Sequence, residues 1–200
     1  LAIGLSGSPS VDSIHTAPGN AGTGKLGVNH DIGSSDIEGL VGLAREIEAD
    51  LVVVGPEAPL VLGLADKLRE IGIPCFGPHS EGAMLEGSKL HAKNTMIDLG
   101  VPTGRCQVIE EARDISNSLD SFHSPWVIKR DVLAGGKGVT VTSDRDVAER
   151  ALSSALDADG MVLMEEHLDG EEASVLVVMD ETGFVCLPPS QDHKRAFDGD

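Results

Sequence analysis

The sequence predicts two successive folds, an α/β domain on a parallel sheet over residues 1–87 and an α+β domain over residues 88–200, and three observations carry that reading. Up to residue 80, amphipathic stretches alternate with short apolar runs that end in Gly-Pro, at Val54-Gly55-Pro56 and Phe76-Gly77-Pro78. Alternation of this kind builds a parallel sheet and puts functional loops at the C-terminal ends of its strands. Beyond residue 100 the balance reverses, with strands dominating and only two helices between them. The chain also has 200 residues and 40% apolar content, enough to bury a core in each part. Aromatic residues are only 2% and Tyr is absent, so that core must be Val, Leu, Ile, Ala and Met.

Taken in order, residues 1–5 read as the last turns of a helix, and a strand leads into the glycine-rich loop 17–23. Ser35 and Glu38 have the spacing of a capping box, and Ile37, Leu40, Val41, Ala44 and Ile47 then repeat at helical spacing, which predicts a helix over 36–48. Residues 51–54 are an unbroken apolar run, as expected of a strand buried on both faces. A helix over 60–70 leads to a strand over 73–76. Ser88 can cap a linking helix that carries Leu90, Met96, Ile97 and Leu99 and ends at Gly100 with Pro102 beyond. Strands follow at 105–109, 126–129, 139–142 and 161–165, with helices over 110–119 and 144–156. Residues 173–179 and 184–187 pair as a hairpin across 180–183, and residues 122–180 are read as a lid subdomain.

Fifteen Lys and Arg stand against 33 Asp and Glu, a formal charge of −18 that repels a phosphate backbone and argues against nucleic-acid binding. No run approaches the roughly 18 apolar residues of a membrane span, so no membrane partner is expected and the protein reads as cytoplasmic. Cys75, Cys106 and Cys186 are too few and too dispersed for a disulfide framework or a zinc site. The chain opens on Leu1 and closes on a polar loop, and it reads as a fragment cut at both ends.

Gly19-Asn20-Ala21-Gly22-Thr23-Gly24-Lys25 fits the phosphate-loop pattern except at Leu26, which replaces the hydroxyl that holds magnesium, and no helix pattern follows. It is read as a decoy, although residues 18–23 could still present backbone N–H groups to an anion. Ala134-Gly135-Gly136-Lys137-Gly138 lies between two strands, where three glycines let the backbone close over a phosphate and the lysine adds charge. Lys129 ends the preceding strand and points inward; a lysine is rarely buried without a partner, and two lysines eight residues apart suit a polyphosphate. Glu165, Glu166 and Glu172 flank a turn and can accept from an adenine amine or ribose hydroxyls, or form a solvated acidic turn. Gln191-Asp192-His193-Lys194-Arg195 concentrates polar groups at a strand end, as a site or as an exposed loop. No His, Cys or carboxylate spacing reads as a metal site.

Those segments, in their order, with Leu85-Glu86-Gly87-Ser88-Lys89, Lys93, Leu168-Asp169-Gly170 and Pro189-Ser190, resemble the phosphoribosylamine-glycine ligase family, also called glycinamide ribonucleotide synthetases, over nearly all of the chain. The resemblance implies a Rossmann-like first domain whose opening strand precedes Leu1, then an ATP-grasp domain whose second half lies beyond Asp200. It implies an ATP-dependent ligation of glycine to 5-phosphoribosylamine through glycyl phosphate, giving glycinamide ribonucleotide, ADP and phosphate in purine biosynthesis. A fragment of this kind is expected to be inactive alone and the full-length enzyme to be a monomer.

By the same resemblance, Lys129 and Lys137 match lysines at the triphosphate, with Lys89 and Lys93 as further candidates, and Gly135, Gly136 and Gly138 belong to the lid. Glu165, Glu166 and the backbone of Leu168 match the adenine side, and Glu172 the ribose carboxylate. Pro18, Gly19, Asn20, Ala21, Gly22, Thr23, Gly55, Pro56, Glu57, Asp192, His193 and Lys194 match loops around phosphoribosylamine, with Lys194 and Arg195 facing the reaction. Mg²⁺ or Mn²⁺ is implied, with ligands beyond residue 200. Two rival readings are another ATP-grasp carboxylate–amine ligase, which leaves the 18–23 and 55–60 loops unexplained, and a nucleotide-binding fragment without catalysis.

Overall fold

The computed structural model describes residues 1–133 and 138–192. Its internal contacts divide it into two units, Leu1–Glu166 and His167–Asp200.

The first unit opens with a short helix, α1 (Ala2–Ser6), none of whose residues is buried. Strand β1 (His15–Thr16) pairs in parallel with β2 (Val28–Asn29). A single 3₁₀ turn, Thr23–Lys25, lies between them. Helix α2 (Ile37–Glu46) follows. Its cap is Asp36, whose carboxylate accepts from the Gly39 N–H, and not the Ser35 box expected from spacing. Strand β3 (Val52–Val53) pairs in parallel with β4 (Cys75–Phe76). The single helix expected over 60–70 is two, α3 (Ala58–Val61) and α4 (Leu64–Glu70). Gly63, at φ 86°, breaks them because few other residues enter that left-handed region without cost.

Val41 and Ala44 of α2 and Leu64 and Leu68 of α4 form one buried cluster, against which Val52, Val54 and Cys75 pack. Leu60, Ala65 and Ala83 continue it under the same strands. Contrary to the expectation of a strand buried on both faces, the face opposite Val52 and Val54 is partly open. Phe76, the register partner of Val53, is 53% exposed.

Helix α5 (Ser80–Gly87) leads to the linking helix α6 (Lys89–Asp98). Ser88 caps α6 through its side chain, as expected, and Gly100 at φ 68° follows its end. Beyond it lies a four-stranded antiparallel sheet of β5 (Cys106–Ile109), β6 (Trp126–Lys129), β7 (Val139–Thr142) and β8 (Val162–Glu165), in the order β5-β8-β6-β7. Helices α7 (Ile115–Ser121) and α8 (Arg145–Asp159) cover one face. Ile109, Ile128, Val162 and Met164 project from the strands into Ile115, Leu119, Ala148, Leu152 and Ala155, the largest core of the molecule.

The second unit is small, and among its described residues the regular structure is all β. Strand β9 (Ala173–Ser174) pairs with β12 (Ser190–Gln191), and β10 (Val177–Asp180) pairs with β11 (Gly183–Cys186). The strand expected over 173–179 is therefore two. The Asp180 carboxylate closes the hairpin by accepting from the Thr182 and Gly183 N–H groups. Among the described residues, no helix is long and apolar enough to cross a membrane.

Leu152 is fully buried in the main core, so Leu152→Ala should lower the free energy of unfolding by about 2–5 kcal/mol, read from denaturant titration. Arg130 forms a two-pronged pair with Asp159 at 2.6 and 2.7 Å, and that guanidinium holds the Asp159 carboxyl below the usual carboxylate range. A depressed carboxyl stabilises the fold at neutral pH and loses that effect as pH falls through its folded value. The melting-temperature deficit of Asp159→Asn should therefore be full at pH 7, begin to shrink below about 4, and close only once pH falls below the depressed folded value of Asp159.

Candidate functional site

Strand register sets out the free face of the four-stranded sheet. Directly opposed residues point to one side, and the rows Cys106–Glu165–Val127–Val141 and Val108–Leu163–Lys129–Val139 lie on the face away from α7 and α8. Six of these eight residues are apolar or cysteine. Val139 and Val141 are exposed, whereas Val127 and Leu163 are buried. The result is an apolar floor that ends in one carboxylate and one ammonium group.

A second ammonium joins them from α6. The Lys93 Nζ lies 3.0 Å and the Lys129 Nζ 2.9 Å from the same oxygen, Glu165 Oε2. The side chains of Lys93 and Glu165 are each 7% exposed, and that of Lys129 is 29% exposed. Burying a charge is tolerable only when it is paired, and here two ammonium groups share one carboxylate. The cluster carries a formal surplus of one positive charge on an apolar floor, an arrangement that suits an anion attached to a flat apolar group. Cys106, beside Glu165 in the register, has its thiol pushed up by burial and then by the Glu165 charge, which leaves it unreactive.

The two lysines differ in what they can offer. Lys93 also donates to Thr103 Oγ1 at 2.6 Å and to the Gly104 carbonyl at 2.9 Å, so beside its ion pair with Glu165 it is held by two hydrogen bonds. Lys129 has Glu165 as its one partner among the described residues and keeps two N–H groups free.

The base of the glycine hairpin is fixed on both sides. The Arg130 N–H donates to the Gly138 carbonyl at 2.8 Å, which extends the β6–β7 ladder by one pair. The Asp131 carboxylate accepts from Ser88 Oγ and the Leu90 N–H at the start of α6, and Lys89 donates to the Val132 carbonyl. Asp131 was not singled out from sequence, because its partners lie some 41 and 43 residues away and no local pattern marks it. Gly135, Gly136 and Lys137 lie outside the described residues.

Glu166 is exposed and turned away from the cluster. Its N–H donates to the Arg105 carbonyl, and its carboxylate accepts from the Arg105 N–H, so it closes the β5–β8 ladder. In the second unit Leu168 is 67% exposed. There the Asp192 N–H donates to the Glu172 carbonyl. His193, Lys194 and Arg195 lie outside the described residues.

In the first domain, the loop 17–23 is organised by its own side chains. Asn20 Oδ1 accepts from the Gly22 and Thr23 N–H groups, Thr23 Oγ1 accepts from the Asn20 N–H, and Asn29 Nδ2 donates to the Asn20 carbonyl. Gly19 sits at φ 78°, and a Cβ there would lie 2.3 Å from Asn29 Oδ1. The backbone N–H groups of residues 20 and 22–26 are thus used within the loop, which differs from the open anion cradle expected there. A 3₁₀ turn and then a strand follow, so the phosphate-loop look-alike lacks the helix that pattern needs.

Gly55-Pro56-Glu57 joins β3 to α3, and the Glu57 carbonyl accepts from the Leu60 and Val61 N–H groups. The neighbouring turn is held from beneath by Arg69, which donates to the Cys75 and Gly77 carbonyls. Both loops leave the same end of the parallel β3–β4 pair. Among the described residues, no group of three His, Cys, Asp or Glu side chains is placed to hold a metal ion.

Comparison with known proteins agrees with this layout. Residues 1–86 match the phosphoribosylglycinamide synthetase N domain, and residues 87–200 match the ATP-grasp (A) domain of the same enzyme family. The phosphoribosylamine–glycine ligase of Mycobacterium leprae is 46% identical over all of this chain, which covers 49% of that protein. The Streptomyces coelicolor ligase is 48% identical over 98% of the chain and is covered to 46%. The crystal structure of phosphoribosylamine–glycine ligase from Thermotoga maritima superimposes with a TM-score of 0.76 at 31% identity, over all of this chain and 49% of that one. N5-carboxyaminoimidazole ribonucleotide synthetase from Thermus thermophilus shares the fold, with a TM-score of 0.71 at 23% identity over 98% of this chain and 51% of its own. The chain spans about half the length of the curated relatives it matches. With both of its domains matched in order, the chain belongs to the phosphoribosylglycinamide synthetase family.

Proposed function

We propose that this chain is the N-terminal and first ATP-grasp portion of a phosphoribosylamine–glycine ligase. The enzyme joins the glycine carboxylate to the amine of 5-phosphoribosylamine at the expense of ATP and acts in the cytoplasm. The observation that carries the reading is the Lys93–Glu165–Lys129 cluster, which leaves one surplus positive charge on an apolar floor. An apolar base suits the exposed Val139 and Val141 on that face, and phosphate oxygens suit the Lys129 N–H groups that have no partner among the described residues. ATP supplies the phosphoryl group that turns the glycine carboxylate into glycyl phosphate, and attack by the amine then releases phosphate.

The residues of this chain bind and orient. Lys129 offers charge to the phosphates, where fixed cations stabilise the transferring group. Glycyl phosphate has to be kept from water; the glycine-rich segment read from sequence for that role, 134–138, lies largely outside the described residues. Asp131 ties the chain leaving β6 to the start of α6. The loops at 17–23 and 55–57 hold phosphoribosylamine by shape and by carbonyl groups, since most backbone N–H groups of the first loop are already used. Mg²⁺ or Mn²⁺ would neutralise phosphate charge, with ligands outside the described residues.

The reading is tested by assaying the full-length protein for ADP release. Release should require both glycine and phosphoribosylamine; ADP release that ignores either substrate would overturn it. In that assay Lys129→Met should lower kcat/KM for ATP at least tenfold, about 1.4 kcal/mol of transition-state stabilisation. Asn20→Leu removes the acceptor that shapes the 17–23 loop. It should raise the KM for phosphoribosylamine several-fold and leave that for ATP unchanged, whereas Lys25→Ala should alter neither. Loss of ATP affinity in Lys25→Ala would instead revive a phosphate-loop role for that segment.

A further inference from the structure

The geometry points to Lys93 as a positioning residue that acts on the nucleotide site through Glu165 and does not itself contact phosphate. This inference rests on the nucleotide-binding half of the function proposed above.

Three observations carry it. The Lys93 ammonium donates to Thr103 Oγ1 at 2.6 Å and to the Gly104 carbonyl at 2.9 Å, and it forms an ion pair with Glu165 Oε2 at 3.0 Å. Its side chain is 7% exposed, so a phosphate could reach it only by displacing those partners. Glu165 directs the same oxygen to Lys129, which is more exposed and has two donors without a partner among the described residues.

Charge decides what this sharing does. With Lys93 in place, Glu165 divides its charge between two ammonium groups, and Lys129 retains an unanswered share to offer a ligand. Without Lys93, Glu165 has Lys129 as its remaining cationic partner among the described residues, and the pair becomes neutral. Lys93 therefore keeps Lys129 available by occupying the carboxylate that would otherwise hold it. Thr103 and Gly104 fix the ammonium in that position from the segment that leads into β5.

The test is a double-mutant cycle on the full-length protein, read as the dissociation constant of a non-hydrolysable ATP analogue, without glycine or phosphoribosylamine, together with melting temperature. Lys93→Met should weaken analogue binding about tenfold in the parent background and less than twofold in a Glu165→Gln background. Equal weakening in both backgrounds would mean that Lys93 meets the phosphates directly and would overturn the proposal. A lowered melting temperature with unchanged affinity would reduce Lys93 to a structural residue and also overturn it. Should Lys93→Met fail to fold, Thr103→Val removes one of the two hydrogen-bond acceptors of the Lys93 ammonium without touching the cleft. It should weaken binding about threefold in the parent and have no effect beside Glu165→Gln; no effect in either background would count against the proposal. An enzyme that binds the analogue but fails to join glycine to phosphoribosylamine would sink the ligase reading and leave this cycle intact, whereas a parent protein that binds no nucleotide would sink both.

Discussion

Glu165 is the residue on which the organisation of the site depends. It ends the central strand β8, between β5 and β6, and its carboxylate takes one ammonium from the linking helix and one from the neighbouring strand. An ion pair buried this deeply adds little net stability over an apolar contact, but its loss would strand two charges. The consequence is geometric. Helix α6 cannot slide along the sheet without breaking the Lys93 contacts, and β6 cannot slip in register without removing Lys129 from Glu165. The floor of the site and the linking helix are therefore locked to each other.

A second set of contacts lies just beyond the same end of β6. Asp131 caps the start of α6 with its carboxylate, and Lys89 reaches the Val132 carbonyl. Four residues separate Lys89 from Lys93 along the helix, about one turn, so both lie on the face turned toward the sheet. One anchors the base of the hairpin and the other anchors Glu165. Two lysines of similar appearance in the sequence thus have different surroundings, and only the structure separates them.

What the sequence reveals and what it hides follow from the range of the interactions involved. Ser88 and Gly100 bracket α6 because capping is local, and Asp144 starts α8 for the same reason. Strands β6 and β7 were legible from apolar runs beside a glycine loop. The split of one helix at Gly63 was not legible, since a glycine inside a helical pattern is commonly tolerated. The cap at Asp36 was missed because Ser35 and Asp36 are both good cap residues and only backbone angles choose between them. Among site residues, Lys129 stood out because a lysine ending an apolar strand requires a partner. That its partner is Glu165, 36 residues on, could not be read, because the antiparallel pairing of β6 with β8 passes over β7 and α8.

The glycine-rich loop near the N-terminus shows the same point from the opposite side. Its residues satisfy a known pattern at every position but the last, yet pattern positions describe spacing and not the use of hydrogen-bond donors. Asn20 and Thr23 consume the N–H groups that a phosphate would need, and Asn29 closes the loop from the next strand. A loop whose donors are spent internally is rigid, and rigidity suits recognition of a substrate by shape. Charge for phosphate is instead concentrated on the second domain's sheet, where two Lys129 donors have no partner among the described residues. Within one chain, the glycine segment that looks like a phosphate site has turned its donors inward. The site with donors to spare was marked by a single lysine at the end of an apolar strand.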